Sequence, residues 1–286
     1  MGLEKDLRNL ALRIGLRENK SVVRLYHFWY KLKYRNKWDQ PVSFRGGNFR
    51  IGSDLSLFPA VRNGAFEELE INTILPLVKS EDVVWDVGAN IGIYTFLLAR
   101  AAYRGHLIAF EPVPVTQEMW RENIVNNRVG NCSLETFALS DKVGKAMISV
   151  NENAHGCDSI ELAKFNPDNT LRSIEVPTTT GDEFLLTSSY GDPDLIKVDI
   201  EGHEPEFLKG AWVMLERRRP TIMLEVNPTT WKTPERFSTW QEILNELFSL
   251  YSEGLWFESR GKFRVTSIDV NKLGPHPYSL ILQMGI

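Results

Sequence analysis

The run Val83-Val84-Trp85-Asp86-Val87-Gly88-Ala89-Asn90-Ile91-Gly92 constrains this chain more than any other segment. An apolar strand ends there in an acid, and a glycine-bearing loop then enters a helix. Without a Cβ, Gly88 can turn sharply and approach a ligand, Gly92 can let the helix start pack closely, and the first amides of the helix can face an anion. A pyrophosphate site calls for a third glycine and no carboxylate beside the phosphates. Asp86 and Asn90 therefore favour a cationic ligand. S-adenosylmethionine fits this expectation, because an acidic loop attracts its sulfonium and amino groups while its carboxylate is left for the helix N-terminus.

A second apolar run, Leu107-Ile108-Ala109-Phe110-Glu111-Pro112, ends in an acid about two dozen residues after Asp86. Glu111 is placed to accept both ribose hydroxyls, as a carboxylate at the tip of the second strand does in dinucleotide and adenosyl folds. It alone does not separate a methyl donor from NAD, and helix capping is its bland alternative.

The chain of 286 residues, 43% hydrophobic, is long enough for one large core with an appendage. Alternating strand and helix patterns predict an α/β, doubly wound, mostly parallel sheet. Predicted strands cover residues 83–87, 107–111, 133–137, 195–199 and 221–226, with helices over 65–78, 93–102, 116–126 and 205–215. Residues 255–258, 263–268 and 278–284 read as strands with no helix between the last two, which fits an antiparallel edge. A small hairpin is expected where residues 42–45 and 49–51 flank Gly46-Gly47-Asn48. The insert over 143–177 does not alternate cleanly and reads as a polar loop, with His155 a residue that could touch substrate. The expected organisation is a basic helical extension over 1–40, a hairpin connector over 41–64 and a ligand-binding domain over 65–286.

Residues 1–50 hold twelve Lys or Arg against four acids, which leaves the remainder of a chain of formal net charge -4 acidic. Interleaved aromatics such as Trp29, Tyr34 and Trp38 would suit contact with RNA, a lipid-linked glycan or a peripheral membrane surface. Leu3, Leu7, Leu10, Ala11 and Ile14, and then Val22, Leu25, Trp29 and Leu32, recur at helical spacing. A docked helical pair is the preferred reading, with nucleic acid unlikely as a partner. Nowhere do eighteen apolar residues run together. Cys132 and Cys157 lack metal-knuckle spacing, so a cytoplasmic location is expected. Oligomeric state is not legible.

Asp194-Leu195-Ile196-Lys197-Val198-Asp199-Ile200-Glu201-Gly202-His203-Glu204 is the other informative segment, a strand that delivers acids and an imidazole to its carboxyl end. Lys197 in an apolar strand needs a partner, and Asp199 on the same face can supply it.

With Asp86-Val87-Gly88-Ala89-Asn90-Ile91-Gly92, Phe110-Glu111-Pro112, Ala138-Leu139-Ser140-Asp141 and Ile196 through Glu204 in order, the chain resembles the FkbM family of methyltransferases. The resemblance covers roughly residues 65–228, with Gly181 standing where many members carry a bulky apolar residue. It implies a class I, Rossmann-like methyltransferase fold: a seven-stranded sheet with an antiparallel last strand. It also implies O-methylation of a sugar, glycan or natural-product hydroxyl. By that resemblance Asp86, Gly88, Ala89, Asn90 and Gly92 hold the methionine end, Glu111 and Pro112 the ribose, and Ser140 with Asp141 the adenine edge.

Methyl transfer to oxygen needs an aligned acceptor and a modest base. His203 is the leading candidate for that base, followed by Glu201 and Asp199. Asp199 could instead neutralise the donor's amino group. No metal is the primary expectation. The secondary one places Mg²⁺ or Ca²⁺ on Asp199, Glu225 and Asn227 at neighbouring strand ends, a geometry like that of the catechol O-methyltransferases. An NAD-dependent oxidoreductase and a nucleic-acid methyltransferase using the basic leader are the competing readings.

Overall fold

The computed structural model describes residues 33, 38, 40–52, 57–150, 172–231, 233–258 and 261–284. The basic helical pair expected over most of 1–40, together with His155 and Cys157, lies outside them. Cys132 is half-buried and free.

A short hairpin, β1 (Val42–Phe44) and β2 (Gly47–Phe49), precedes helices α1 (Leu57–Arg62) and α2 (Glu68–Ile74). Then β3 (Val83–Val87), α3 (Ile93–Ala101), β4 (His106–Phe110), α4 (Pro114–Asn126) and β5 (Cys132–Glu135) alternate as expected. Strands β6 (Ala138–Leu139), β7 (Gly144–Val150) and β8 (Arg172–Thr179) form a separate three-stranded sheet. The flanks of the expected polar insert are therefore paired strands: β7 pairs antiparallel with β8 from Gly144 opposite Thr178 to Val150 opposite Arg172. Helix α5 (Gly181–Thr187), β9 (Leu195–Val198), α6 (Glu204–Gly210), α7 (Trp212–Arg218) and β10 (Thr221–Val226) follow. The chain closes with α8 (Pro234–Tyr251), β11 (Gly254–Glu258), β12 (Gly261–Val265) and β13 (Tyr278–Leu282).

The main sheet runs β12-β11-β13-β10-β9-β3-β4-β5. Strands β5, β4, β3, β9 and β10 are mutually parallel, and β13 lies antiparallel between β10 and β11. The class I, Rossmann-like arrangement with a reversed last strand is thus present. The sheet has eight strands rather than seven, because β12 turns back at Gly261 to extend the edge as a hairpin with β11.

Strand parity sorts the core into two layers. Val84, Leu107, Ala109, Leu195, Met223 and Ile281 join the layer of α2, α3, α4 and the hairpin. Trp85, Val87, Ile108, Phe110, Ile196, Val198, Ile222 and Leu224 join the layer of α5 to α8. The central strands are covered on both faces, hence their continuous apolar runs. Residues 234–251, to which no element is assigned from sequence, bury Trp240, Ile243, Leu244, Leu247, Phe248 and Tyr251 along one helical stripe.

The single helix expected over 205–215 is two, broken at Ala211. Gly210 packs so tightly on the Ser140 carbonyl that a Cβ would overlap it, which fixes where α6 ends. The unusual Gly181 has a similar cause, since a Cβ there would press the Ala211 methyl at 2.8 Å. The hairpin is tied to α4: Asn123 accepts from the Arg50 amide (2.7 Å) and donates to the Arg50 and Ile91 carbonyls (3.0 and 2.8 Å). Among the described residues no helix is long and apolar enough to cross a membrane.

Candidate active site

The carboxyl ends of β3, β4, β9 and β10 open onto one cavity of about 400 Å³. Register explains what reaches it. Lys197 pairs across β3 with Asp86 and across β10 with Met223, so all three lie on the α3 side of the sheet. Two residues further along, Asp199 and Glu225 continue that row at the rim, where both line the cavity.

Asp86 itself is turned away from the cavity. Fully buried, it accepts from the Thr95 hydroxyl at 2.6 Å and sits 3.8 Å from the Lys197 ammonium. Burial raises its pKa more than Lys197 and Thr95 lower it. Asp86, expected at the methionine end, is thus placed behind the cavity wall. The parity that puts Trp85 and Val87 in the far layer points Asp86 under α3, where it orients Lys197. Burial would drive the Lys197 ammonium down, but Asp199, Asp86 and Glu67 together hold its pKa above the ordinary value. Lys197 donates to the Gly88 carbonyl at 3.2 Å, meets Asp199 at 3.3 Å and lies 5.1 Å from the Tyr94 ring centroid.

Gly88 has φ +80, and a Cβ on it would overlap the Asp199 carbonyl oxygen. The close approach it permits is thus to the end of β9 as well as to the cavity it lines. Gly92, at φ +89, lets α3 start against Trp120, as expected. The amides of Gly88 and Ala89 donate to the Phe110 carbonyl, that of Asn90 to Glu111, and that of Gly92 to Ala89. Those loop amides are spent within the fold.

The cavity has two unlike ends. One is apolar, walled by Phe110, Pro112, Val113, Phe137, Ala138 and Leu139, with Glu111 at its lip. Glu111 Oε2 accepts from the Asn90 amide at 3.0 Å and Oε1 from the Val113 amide at 2.9 Å, which fixes the carboxylate. Ser140 and Asp141, expected at the adenine edge, do not line the cavity. The Ser140 hydroxyl meets His203 Nε2 at 2.9 Å and Asp141 is exposed. Ala138 and Leu139 from the same motif take the wall instead.

The other end is acidic. Glu67, Asp199, Glu201 and Glu225 line it with Lys197. Glu67 lies just before α2, accepts from the Tyr94 hydroxyl at 2.6 Å, and is pushed up to about 7 by burial and by Asp199 against the pull of Lys197. Nothing local marks it in the sequence, because Glu67, Glu68 and Glu70 together read as dipole pairing at a helix start. Glu225 is driven well above the carboxylate range by burial and by Asp199, Glu201 and Glu204. Glu204 accepts from the Ile200 and Gly202 amides at 2.9 and 3.1 Å, holding the loop after β9 from behind, and its pKa is raised to about 7, chiefly by burial. Asn227, expected to be a third metal ligand, does not line the cavity; its Oδ1 accepts from the amide and hydroxyl of Thr229. Glu201 converges with Asp199 and Glu225 in its place.

His203 lines the cavity, yet both ring nitrogens have partners: Nε2 meets Ser140 Oγ at 2.9 Å and Nδ1 faces Glu206 at 3.5 Å. Glu206 is in turn held by the Arg236 guanidinium. This placement fixes the ring and engages both nitrogens within the fold.

A sequence profile for the methyltransferase FkbM domain matches residues 86–253, from the acid of β3 to the end of α8. The chain belongs to the FkbM methyltransferase family. It is 30% identical over 195 residues to the hexuronic acid methyltransferase AglP of Haloferax volcanii, covering 67% of this chain and 76% of that protein. It is 34% identical over 130 residues to the 31-O-demethyl-FK506 methyltransferase FkbM of Streptomyces tacrolimicus, covering 45% of this chain and 47% of that one. A solved FkbM methyltransferase from Methylobacillus flagellatus KT superposes with a TM-score of 0.45 at 15% identity, over 72% of this chain and 44% of that chain. Family membership makes the chain an S-adenosylmethionine-dependent methyltransferase and displaces the oxidoreductase alternative. The cavity fits that donor: Asn90 Oδ1, buried at the glycine loop, has no hydrogen-bond partner among the described residues, and the acidic end suits a cation.

Proposed function

We propose that this chain is an O-methyltransferase for a hydroxyl of a sugar in a glycan. One observation carries the reading: a single cavity joins an apolar slot with a fixed carboxylate at its lip to a carboxylate-lined end. The slot suits adenine, with Glu111 on the ribose hydroxyls. Asn90 Oδ1 and Asp199 are assigned to the amino group of the methionine end. When bound, S-adenosylmethionine supplies an electrophilic methyl group at the junction of the two ends. The carboxylates beyond it accept hydrogen bonds from a polyhydroxylated acceptor, orienting one oxygen towards the methyl. Similarity to a hexuronic acid methyltransferase supports a sugar as that acceptor.

The proton released from the hydroxyl is assigned to Glu67. Its carboxyl lines the cavity and is held by Tyr94, and a pKa of about 7 suits a general base at neutral pH. His203 is assigned a positioning role through Ser140 and Glu206 rather than the role of base. The test is transfer of a labelled methyl group to a panel of oligosaccharides, uronic acid glycosides and phenols, with S-adenosylhomocysteine and NAD compared by calorimetry. Label on a sugar oxygen and binding of S-adenosylhomocysteine alone are expected. Label confined to phenols would overturn the acceptor.

A further inference from the structure

We propose that Asp199, Glu201 and Glu225 form a binding site for one oxygen-seeking divalent cation, such as Mg²⁺, Mn²⁺ or Ca²⁺, at the acidic end of the cavity. One carboxylate oxygen from each residue lies within 4.8 Å of the other two. Two separate elements build this convergence: the loop after β9 supplies Asp199 and Glu201, and the end of β10 supplies Glu225. The donor set is oxygen only, with no thiolate or imidazole, and that selects hard cations. All three residues stand on the cavity wall, so an ion among them would still have positions open towards a bound molecule.

A separate observation concerns the second oxygen of Glu225. Glu225 Oε2 is sealed from solvent and has no hydrogen-bond donor among the described residues. A buried carboxylate oxygen without a donor is unfavourable unless a proton or a cation meets it. Glu204, fully buried behind the same loop, adds a second orphan in Oε2. Lys197 cannot balance this set, because its ammonium already serves Asp86, Asp199 and the Gly88 carbonyl.

The remainder of the inference rests on the glycan O-methylation reading. An ion held on three carboxylates completes its shell with water or with ligand oxygens. Two neighbouring hydroxyls of a sugar, or a hydroxyl beside a uronic carboxylate, would supply a chelating pair. An anionic sugar could then enter a cavity whose own carboxylates would otherwise repel it.

The test uses the full chain, freed of metal by chelation and titrated with Mn²⁺ while the electron paramagnetic resonance signal of the free ion is followed. S-adenosylhomocysteine binding is measured on the same samples. Saturable binding near one Mn²⁺ per chain is expected. Glu225→Gln and Glu201→Gln should each weaken it by roughly tenfold or more, with S-adenosylhomocysteine affinity changed by less than about threefold. Glu201 sits on a half-exposed loop, so its variant guards against misfolding, and Mn²⁺ should raise the melting temperature of the parent chain more than that of Glu201→Gln. Absence of saturable binding in the parent chain, or equal binding in the parent and both variants, overturns the site. Loss of S-adenosylhomocysteine binding in the parent chain would overturn the donor assignment instead, and the ion titration would still decide the cation site.

Discussion

The two ends of the cavity are made in opposite ways. The apolar end is built by contiguous motifs: β3 runs through its glycine loop into α3, and β4 ends at Glu111, so short stretches of chain carry both geometry and chemistry. The acidic end is assembled from residues far apart in sequence, with Glu67 before α2, Lys197 on β9, Asp199 and Glu201 just beyond it and Glu225 on β10. Backbone hydrogen bonds hold Glu111 at the first end, whereas at the second burial, and then the repulsion of neighbouring acids, raises the carboxyl pKa values of Glu67 and Glu225.

Substitutions can break this contrast, beginning with the harshest. Gly88→Ala adds a Cβ against the Asp199 carbonyl at a positive φ, so it should destabilise the fold by about 3 kcal/mol or more and abolish measurable S-adenosylhomocysteine binding. Denaturant melts and calorimetry would read both. Lys197→Met removes the ammonium that faces the buried Asp86 carboxyl, and a loss of about 3 to 5 kcal/mol is expected from the same melts. Adding Asp86→Asn should recover part of that loss; no recovery would show that the pair is not what holds the two residues.

Glu111→Ala should weaken S-adenosylhomocysteine by roughly ten- to hundredfold, since a hydrogen-bonded carboxylate on the ribose contributes about 1.5 to 3 kcal/mol. Equal affinity would move the ribose elsewhere.

The acidic end should respond through pH. Glu67 is faced by Tyr94, Lys197, Asp199 and Glu70, and its carboxyl titrates at about 7 in the fold against 4.5 in the reference state. As a base it must be deprotonated, so kcat/KM should climb as pH rises through about 7, and Glu67→Gln should flatten that limb while donor affinity holds. The stability effect has the opposite sign. The folded state holds this proton more tightly than the unfolded chain does, so its contribution is full below about pH 4.5 and is lost as pH rises through about 7. A limb that survives in the variant would remove Glu67 from the mechanism.

His203→Ala is the mildest change. With both nitrogens already engaged, kcat should fall by less than about tenfold, whereas loss of a general base would lower it by about a hundredfold or more.

The failures of sequence reading follow the same divide. Glu111 was legible because an apolar strand, an acid and a following proline announce a strand tip. The role of Asp86 was misread because its motif names the residue but not the face: alternation along β3 sends it under α3 to meet Thr95 and Lys197. Glu201 rather than Asn227 converges with Asp199 and Glu225, because a turn after β10 draws Asn227 Oδ1 back to Thr229. His203 read as a free base because its partners, Ser140 and Glu206, lie on different elements.

By itself the sequence determined the parallel α/β sheet, the glycine turn into α3 and the acid at the tip of β4, since each is encoded within one strand, loop or helix by periodicity and backbone freedom. Only the tertiary structure decided which acids share a cavity, which of them lose their water, and which nitrogen or oxygen is already bonded. Those outcomes depend on strand register and layer packing, which bring together side chains more than a hundred residues apart.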